Sequence, residues 1–171
     1  KALSVTEEHT DSYGNTTLHH ACWNEQGEVV KVLIQNHKDS VHKLNDDGES
    51  PLMLAVKKSN LVITELLLEA GAKPECADLN GVMPLHIAAG NGDLFVAKAL
   101  MKAGAGVDGK NGEGQTPLIV AARNGRNDFT AMLIENGADV NSVDNEQHSA
   151  LYYASEAGLT EIVEQLLMAG A

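Results

Sequence analysis

Aromatic side chains make up only 4% of these 171 residues, as one Trp, three Tyr and two Phe. So few rings exclude a core organised around aromatic clusters. With 43% apolar residues, what remains is a sizeable core closed through alanines and aliphatic side chains. Basic residues are scarce too: Lys+Arg 12 against Asp+Glu 24 gives a net charge of -12. That balance repels phosphate backbones and anionic lipid, so no nucleic-acid partner is expected. Two cysteines, Cys22 and Cys76, are too few for a disulfide-stapled scaffold and read as free thiols of an intracellular chain, cytoplasmic or nuclear with the cytoplasm favoured. No apolar run approaches the ~20 residues of a membrane span, so no membrane insertion is expected. Lys1-Ala2-Leu3-Ser4-Val5 lacks the apolar core of a signal peptide.

What the chain has in plenty is repetition. Leu18, Leu52, Leu85, Leu118 and Leu151 are separated by 34, 33, 33 and 33 residues, by subtraction of their numbers. They close the phrases Gly14-Asn15-Thr16-Thr17-Leu18, Gly48-Glu49-Ser50-Pro51-Leu52, Gly81-Val82-Met83-Pro84-Leu85, Gly114-Gln115-Thr116-Pro117-Leu118 and Gln147-His148-Ser149-Ala150-Leu151. Small residues follow from Ala21, Ala55, Ala88, Ala121 and Ala154, and Ala70-Gly71-Ala72, Ala103-Gly104-Ala105, Asn136-Gly137-Ala138 and Ala169-Gly170-Ala171 end the units. A period this regular marks a stacked array in which each unit contacts only its neighbours and shares a continuous core with them.

Each unit also reads physically. Thr16, Ser50, Thr116 and Ser149 can cap helix N-termini, and Pro51, Pro84 and Pro117 fit a first turn that has no use for their missing N–H. The first helices are expected to run to about Asn24, Ser59, Gly92, Gly125 and Gly158. Second helices carry apolar stripes at Val29, Val32 and Leu33; Ile63, Leu66 and Leu67; Val96, Ala99 and Leu100; Phe129, Met132 and Leu133; Ile162 and Leu166. Gly71, Gly104, Gly137 and Gly170 suit left-handed C-terminal caps, and polar stretches such as Asn45-Asp46-Asp47-Gly48 read as hairpin-like loops. The first unit has His37 at the capping position and one extra residue before Gly48, which predicts an irregular exit loop. The fifth has Gln147 for the turn glycine and Gln165 on its stripe, which predicts looser packing.

The phrases and their register resemble the ankyrin repeat over about residues 11–171. The resemblance implies an all-α solenoid of helix-turn-helix units with hairpin-like loops, in repeats at about 11–44, 45–77, 78–110, 111–143 and 144–171. Residues 1–10 are left as a lead segment or a partial N-terminal cap. The array is expected to be truncated at its C-terminus, with further repeats in the parent protein.

Several fragments imitate catalytic or ligand sites. Gly104-Ala105-Gly106-Val107-Asp108-Gly109 has dinucleotide-loop spacing but follows a helix, not a strand. His19, His20 and Cys22 lack a second ligand pair, and His19 and His86 take the repeat's usual histidine position, bonding to neighbouring backbone. Asn45-Asp46-Asp47-Gly48-Glu49 lacks the alternating oxygens of a calcium loop. No Gly-x-Ser-x-Gly marks a nucleophile. No catalysis, metal or cofactor is expected.

By the resemblance, loop tips and the ends of first helices form a concave face that binds a partner protein or peptide. Position by position this face comprises Ser12, Tyr13, Asn15, Trp23 and Asn24; Asp46, Asp47, Glu49, Lys57 and Lys58; Leu79, Asn80, Val82, Gly90 and Asn91; Gly112, Glu113, Gln115, Arg123 and Asn124; Asn145, Glu146, His148, Glu156 and Ala157. The expected function is that of a protein-interaction module, a monomeric array with no catalysis of its own. The alternative is the regulatory or substrate-presenting array of a larger enzyme or channel. Leu133 to Asn141 also resembles ankyrin sequences hydroxylated on a loop asparagine in animal cells, which makes Asn141 the expected acceptor.

Overall fold

A computed structural model describes residues 9–171, so most of the lead or cap expected at residues 1–10 lies outside the described residues. Thr10 forms an isolated antiparallel bridge with Thr16. The chain then runs through helix pairs α1 (Thr17–Trp23) and α2 (Gly27–Asn36), α3 (Pro51–Lys57) and α4 (Leu61–Glu69), α5 (Pro84–Asn91) and α6 (Leu94–Lys102), α7 (Pro117–Arg123) and α8 (Asn127–Glu135), and α9 (Ala150–Glu156) and α10 (Thr160–Met168). First helices stack on first helices and second on second, with each pair packed across the two layers. This is the all-α solenoid that the resemblance to the ankyrin repeat implies. None of the described helices is long and apolar enough to cross a membrane.

Local chemistry sets the helix starts. Thr16, Ser50, Thr116 and Ser149 accept from the backbone N–H three residues on, at 3.3–3.4 Å. Met83 offers no such oxygen at the head of α5. There the His86 N–H is accepted by the Met83 carbonyl at 3.0 Å, and the His86 ring, like that of His19, accepts the N–H of the capping residue, its Nδ1 3.2 Å from Met83 N.

The core follows the stripes where the preceding repeat packs against them. Ile63, Leu67, Val96, Leu100, Phe129, Leu133, Ile162 and Leu166 are buried, together with Leu18, Leu52, Leu85 and Leu118. The first unit corrects the expected pattern: Val29 and Val32 are exposed and Val30 is the buried residue of α2. Val29 occupies the register of Ile63, but α2 is the outermost second helix of the described stack. The irregular exit loop is a 3-10 helix, Lys38–His42, which seats Val41 and Ser40 in the interior. In α10, the Oε1 of Gln165 is buried with no hydrogen-bond partner, a polar atom where the stripe calls for an apolar one.

Candidate functional site

The loop tips are built by one device used five times. Asp11, Asn45, Asp78, Asn111 and Asp144 each turn a side-chain oxygen back onto the N–H groups two and four residues later, all at 2.8–3.0 Å. Desolvation alone would raise the Asp144 carboxyl, but donation from the Tyr153 hydroxyl and from the His148 and Glu146 N–H groups outweighs it and holds the acid below its ordinary value. Asp11 is held at about 2 by the same contest, desolvation raising it and the Asn15 and Tyr13 N–H groups lowering it further.

Successive tips are then laced together. Asp46 N–H donates to Tyr13 O at 3.0 Å, Leu79 to Asp47 O at 3.1 Å, Gly112 to Asn80 O at 2.7 Å and Asn145 to Glu113 O at 2.9 Å. The lacing brings backbone onto the turn glycines: a Cβ on Gly48 would lie 2.9 Å from Leu79 N, and one on Gly114 2.8 Å from Asn145 N. Below the tips, His19 Nε2 bonds the Glu49 carbonyl at 3.0 Å and His86 Nε2 the Gln115 carbonyl at 2.9 Å, each joining one repeat to the next. The capping N–H fixes Nδ1 as the acceptor in each ring, so Nε2 carries the proton. The Asn45 side chain of the acidic loop is spent inside its own turn and on Asn15 and Glu49.

Most of the residues expected on the concave face are exposed: Tyr13, Trp23, Asn24, Asp46, Asp47, Lys57, Leu79, Asn80, Asn91, Glu113, Arg123, Asn124, Asn145, Glu146 and Glu156. Asn15, Lys58, Val82 and His148 are half-buried. Glu49 and Gln115 are buried, because this register position tucks beneath the next loop tip. The Glu49 carboxylate is spent on Lys57 and on Asn45 Nδ2. Tyr13 is 69% and Trp23 47% exposed, and the Lys58 ammonium sits 4.1 Å from the Trp23 ring centroid. Asn141 is exposed on a lower loop, its N–H bonded to Asp139 Oδ1 at 3.0 Å and its Nδ2 to Gly170 O at 3.4 Å.

At the far end the face deepens into a groove of about 640 Å³. The fourth repeat contributes Gly112, Glu113, Gln115 and Arg123, the fifth Asp144, Asn145, Glu146, His148, Tyr152, Tyr153 and Glu156. His148 stacks on Tyr152 with centroids 3.9 Å apart, and Tyr153 stands edge-on to both rings. The Tyr153 hydroxyl donates to Asp144 Oδ2 at 2.6 Å, and this bond, with burial, pushes its pKa above the usual phenol value. Arg123 lies 5.7 Å from the Tyr153 ring and 3.9 Å from Glu113. Tyr152, Tyr153 and Asp144 were absent from the expected face. The signal for the tyrosines was their rarity: a Tyr pair stands where other repeats carry His19-His20, Met53-Leu54, His86-Ile87 and Ile119-Val120.

Comparison with known proteins agrees with this architecture. A family model described as ankyrin repeats (3 copies) matches residues 1–78, 18–111 and 85–171. BCL-6 corepressor-like protein 1 of Homo sapiens is 36% identical over 73 residues, 43% of this chain and 4% of that protein. Ankyrin repeat and KH domain-containing protein mask-1 of Caenorhabditis elegans is 37% identical over 60 residues, 33% of this chain and 2% of that protein. A putative ankyrin repeat protein of Rickettsia felis is 35% identical over 68 residues, 40% of this chain and 18% of that protein. The chain thus spans a small part of the length of the relatives it matches. With the family model covering the chain from end to end and its repeats stacked in register, the chain belongs to the ankyrin-repeat family.

Proposed function

We propose that this chain binds a partner protein or peptide along the concave face formed by its loop tips and first helices, without catalysis of its own. Ankyrin repeats are protein-interaction modules, and the observation that carries the reading for this chain is where its few rings lie. Of six Phe, Trp and Tyr residues, Tyr13, Trp23, Tyr152 and Tyr153 belong to loop tips or first helices, Phe95 is exposed on α6 in the other layer, and Phe129 alone is fully buried. Exposed rings such as Tyr13 and Trp23, held on rigid elements, suit interface anchors. Trp23 and Tyr13 anchor the apolar part of the partner near the first repeat, and Lys57 and Lys58 meet its acidic groups. Asn141, exposed on a loop, is the acceptor for hydroxylation when the protein is made in animal cells.

Cross-linking mass spectrometry of the chain with a partner recovered from cells tests the face. Cross-links confined to Lys57 and Lys58 support it. Cross-links centred on Lys31 and Lys98 of the second helices would move the interface to the other side.

A second reading is favoured by the small share of its relatives that the chain covers, one of which carries a KH domain by its name. The array then serves as the regulatory or substrate-presenting part of a larger protein, and its partner belongs to the same assembly.

A further inference from the structure

The concave groove between the fourth and fifth repeats combines a recess, aromatic rings and an unbalanced charge. Its wall holds four carboxylates, on Glu113, Asp144, Glu146 and Glu156, against the single guanidinium of Arg123. Asp144 is occupied by the Tyr153 hydroxyl and two backbone N–H groups. Glu146 has only His148 Nδ1, at 3.5 Å, and Glu156 has no ion-pair partner among the described residues. Arg123 shows how a cation sits here: over the Tyr153 ring and within 3.9 Å of a carboxylate, yet its side chain keeps 55% of its exposure and leaves the recess open.

We infer that this groove binds a cationic side chain, Arg or Lys, of the partner peptide, with the Tyr153 ring beneath the charge and Glu146 and Glu156 at its rim. The inference rests on the reading of the concave face as the interface and adds the chemistry of one subsite. A cation is favoured over an anion by the excess of carboxylates. It is favoured over an apolar group because the tyrosine and histidine rings are bordered by charges that an apolar group would desolvate without replacing. The partner therefore carries apolar and acidic groups toward the first two repeats and a basic group toward the fifth.

The test uses fluorescein-labelled hexa-arginine and hexa-glutamate peptides titrated against the whole chain at moderate salt. Hexa-arginine should bind and hexa-glutamate should not. Tyr153→Leu should weaken hexa-arginine by about 5-fold or more while Tyr153→Phe, which keeps the ring, stays within about 2-fold. Glu156→Gln should weaken it by about 3-fold or more, and Glu65→Gln, the same charge change on α4 in the other layer, by under about 2-fold. Arg123→Gln, which removes the resident guanidinium, should tighten it. Equal effects of Glu156→Gln and Glu65→Gln would reduce the binding to diffuse attraction by a net charge of -12 and overturn the inference. So would Tyr153→Leu without effect in a chain whose circular dichroism is unchanged. If hexa-arginine fails to bind while the natural partner still cross-links to the concave face, the subsite is wrong and the interface reading stands.

Discussion

The imidazole Nε2 of His86 donates to the carbonyl oxygen of Gln115 across 2.9 Å while Nδ1 of the same ring accepts the Met83 N–H, so one neutral imidazole both starts α5 and ties the third repeat to the fourth. His19 does the same between the first and second. Burial pushes both imidazoles below their ordinary pKa of 6.5, and the bonds to Glu49 and Gln115 only partly offset it. The unfolded chain therefore takes up these protons first. Stability from the neutral rings is complete above 6.5 and declines as pH falls from there toward the lower folded values, by at most about 1.4 kcal/mol per pH unit for each ring. Urea midpoints measured between pH 7 and 5 should fall, and more shallowly in His86→Gln. A second loss should follow below the unfolded values of 3.8 and 4.5, as Asp144 and Glu49, both held low in the fold, are protonated.

Leu100 is fully buried in the central repeat, and Leu33, its counterpart in the first, is half-buried. Leu100→Ala should cost about 2 to 5 kcal/mol and Leu33→Ala clearly less, because the cavity penalty scales with the contacts that truncation removes. Hydrogen exchange should show the fifth repeat opening before the third, since the buried Gln165 Oε1 has no partner there. Uniform protection along the stack would contradict both.

Gln147 is the residue of the turn register with a side chain, at φ 66°. Gly114 at the same position has φ 77° and the next loop's backbone pressed against it. Gln147 is exposed among the described residues, so in this chain its side chain meets the strain of the left-handed conformation but no close approach of backbone. Gln147→Gly should then raise stability by about 0.5 kcal/mol, the relief of the left-handed strain exceeding the entropy that glycine adds to the unfolded chain. Gly114→Ala should cost well over 1 kcal/mol, because its Cβ meets backbone that cannot swing aside. Thermal melts of the two variants read both signs.

Local chemistry made the solenoid legible before any coordinates. Hydroxyl caps, Pro at the first turn and the leucine register depend on residues within one repeat and survive translation to the next. What escaped the sequence depends on neighbours. Val29 looks like Ile63 until it is seen that the described stack begins beside it. Glu49 and Gln115 look like face residues until the next loop tip closes over them. The groove was largely legible: Gly112, Glu113, Gln115, Arg123, Asn145, Glu146, His148 and Glu156 fall on expected face positions, whereas Asp144 and Tyr153 were missed and Tyr152 stands where His19, Met53, His86 and Ile119 are all buried.

Asn141 offers its side chain to an enzyme at little structural expense. Its N–H is held by Asp139, and its Nδ2 makes one long bond, 3.4 Å to Gly170 O. For protein purified from animal cells, mass spectrometry should find one added oxygen on the peptide that spans Leu133 to Asn141, absent in Asn141→Ala. A wholly unmodified peptide would leave Asn141 with only its loop bonds.

Trp23 lies at the end of α1, where the other repeats carry Lys57, Gly90, Arg123 and Glu156, and no core stripe includes it. Its ring is half exposed with the Lys58 ammonium at 4.1 Å. Truncation forfeits that cation–π contact and partial packing, about 1 kcal/mol of stability. For binding the cost should be larger, about 2 kcal/mol or more, because a rigid, half-exposed amphipathic ring is the kind of side chain that dominates an interface. Calorimetric titration of Trp23→Ala with the cross-linked partner, alongside its urea midpoint, separates the two. A fall in affinity of about 30-fold with a small change in midpoint fits an anchor. If the first repeat unfolds while the remaining repeats keep full affinity, Trp23 belongs to the packing of α1 and the partner is held further along the face.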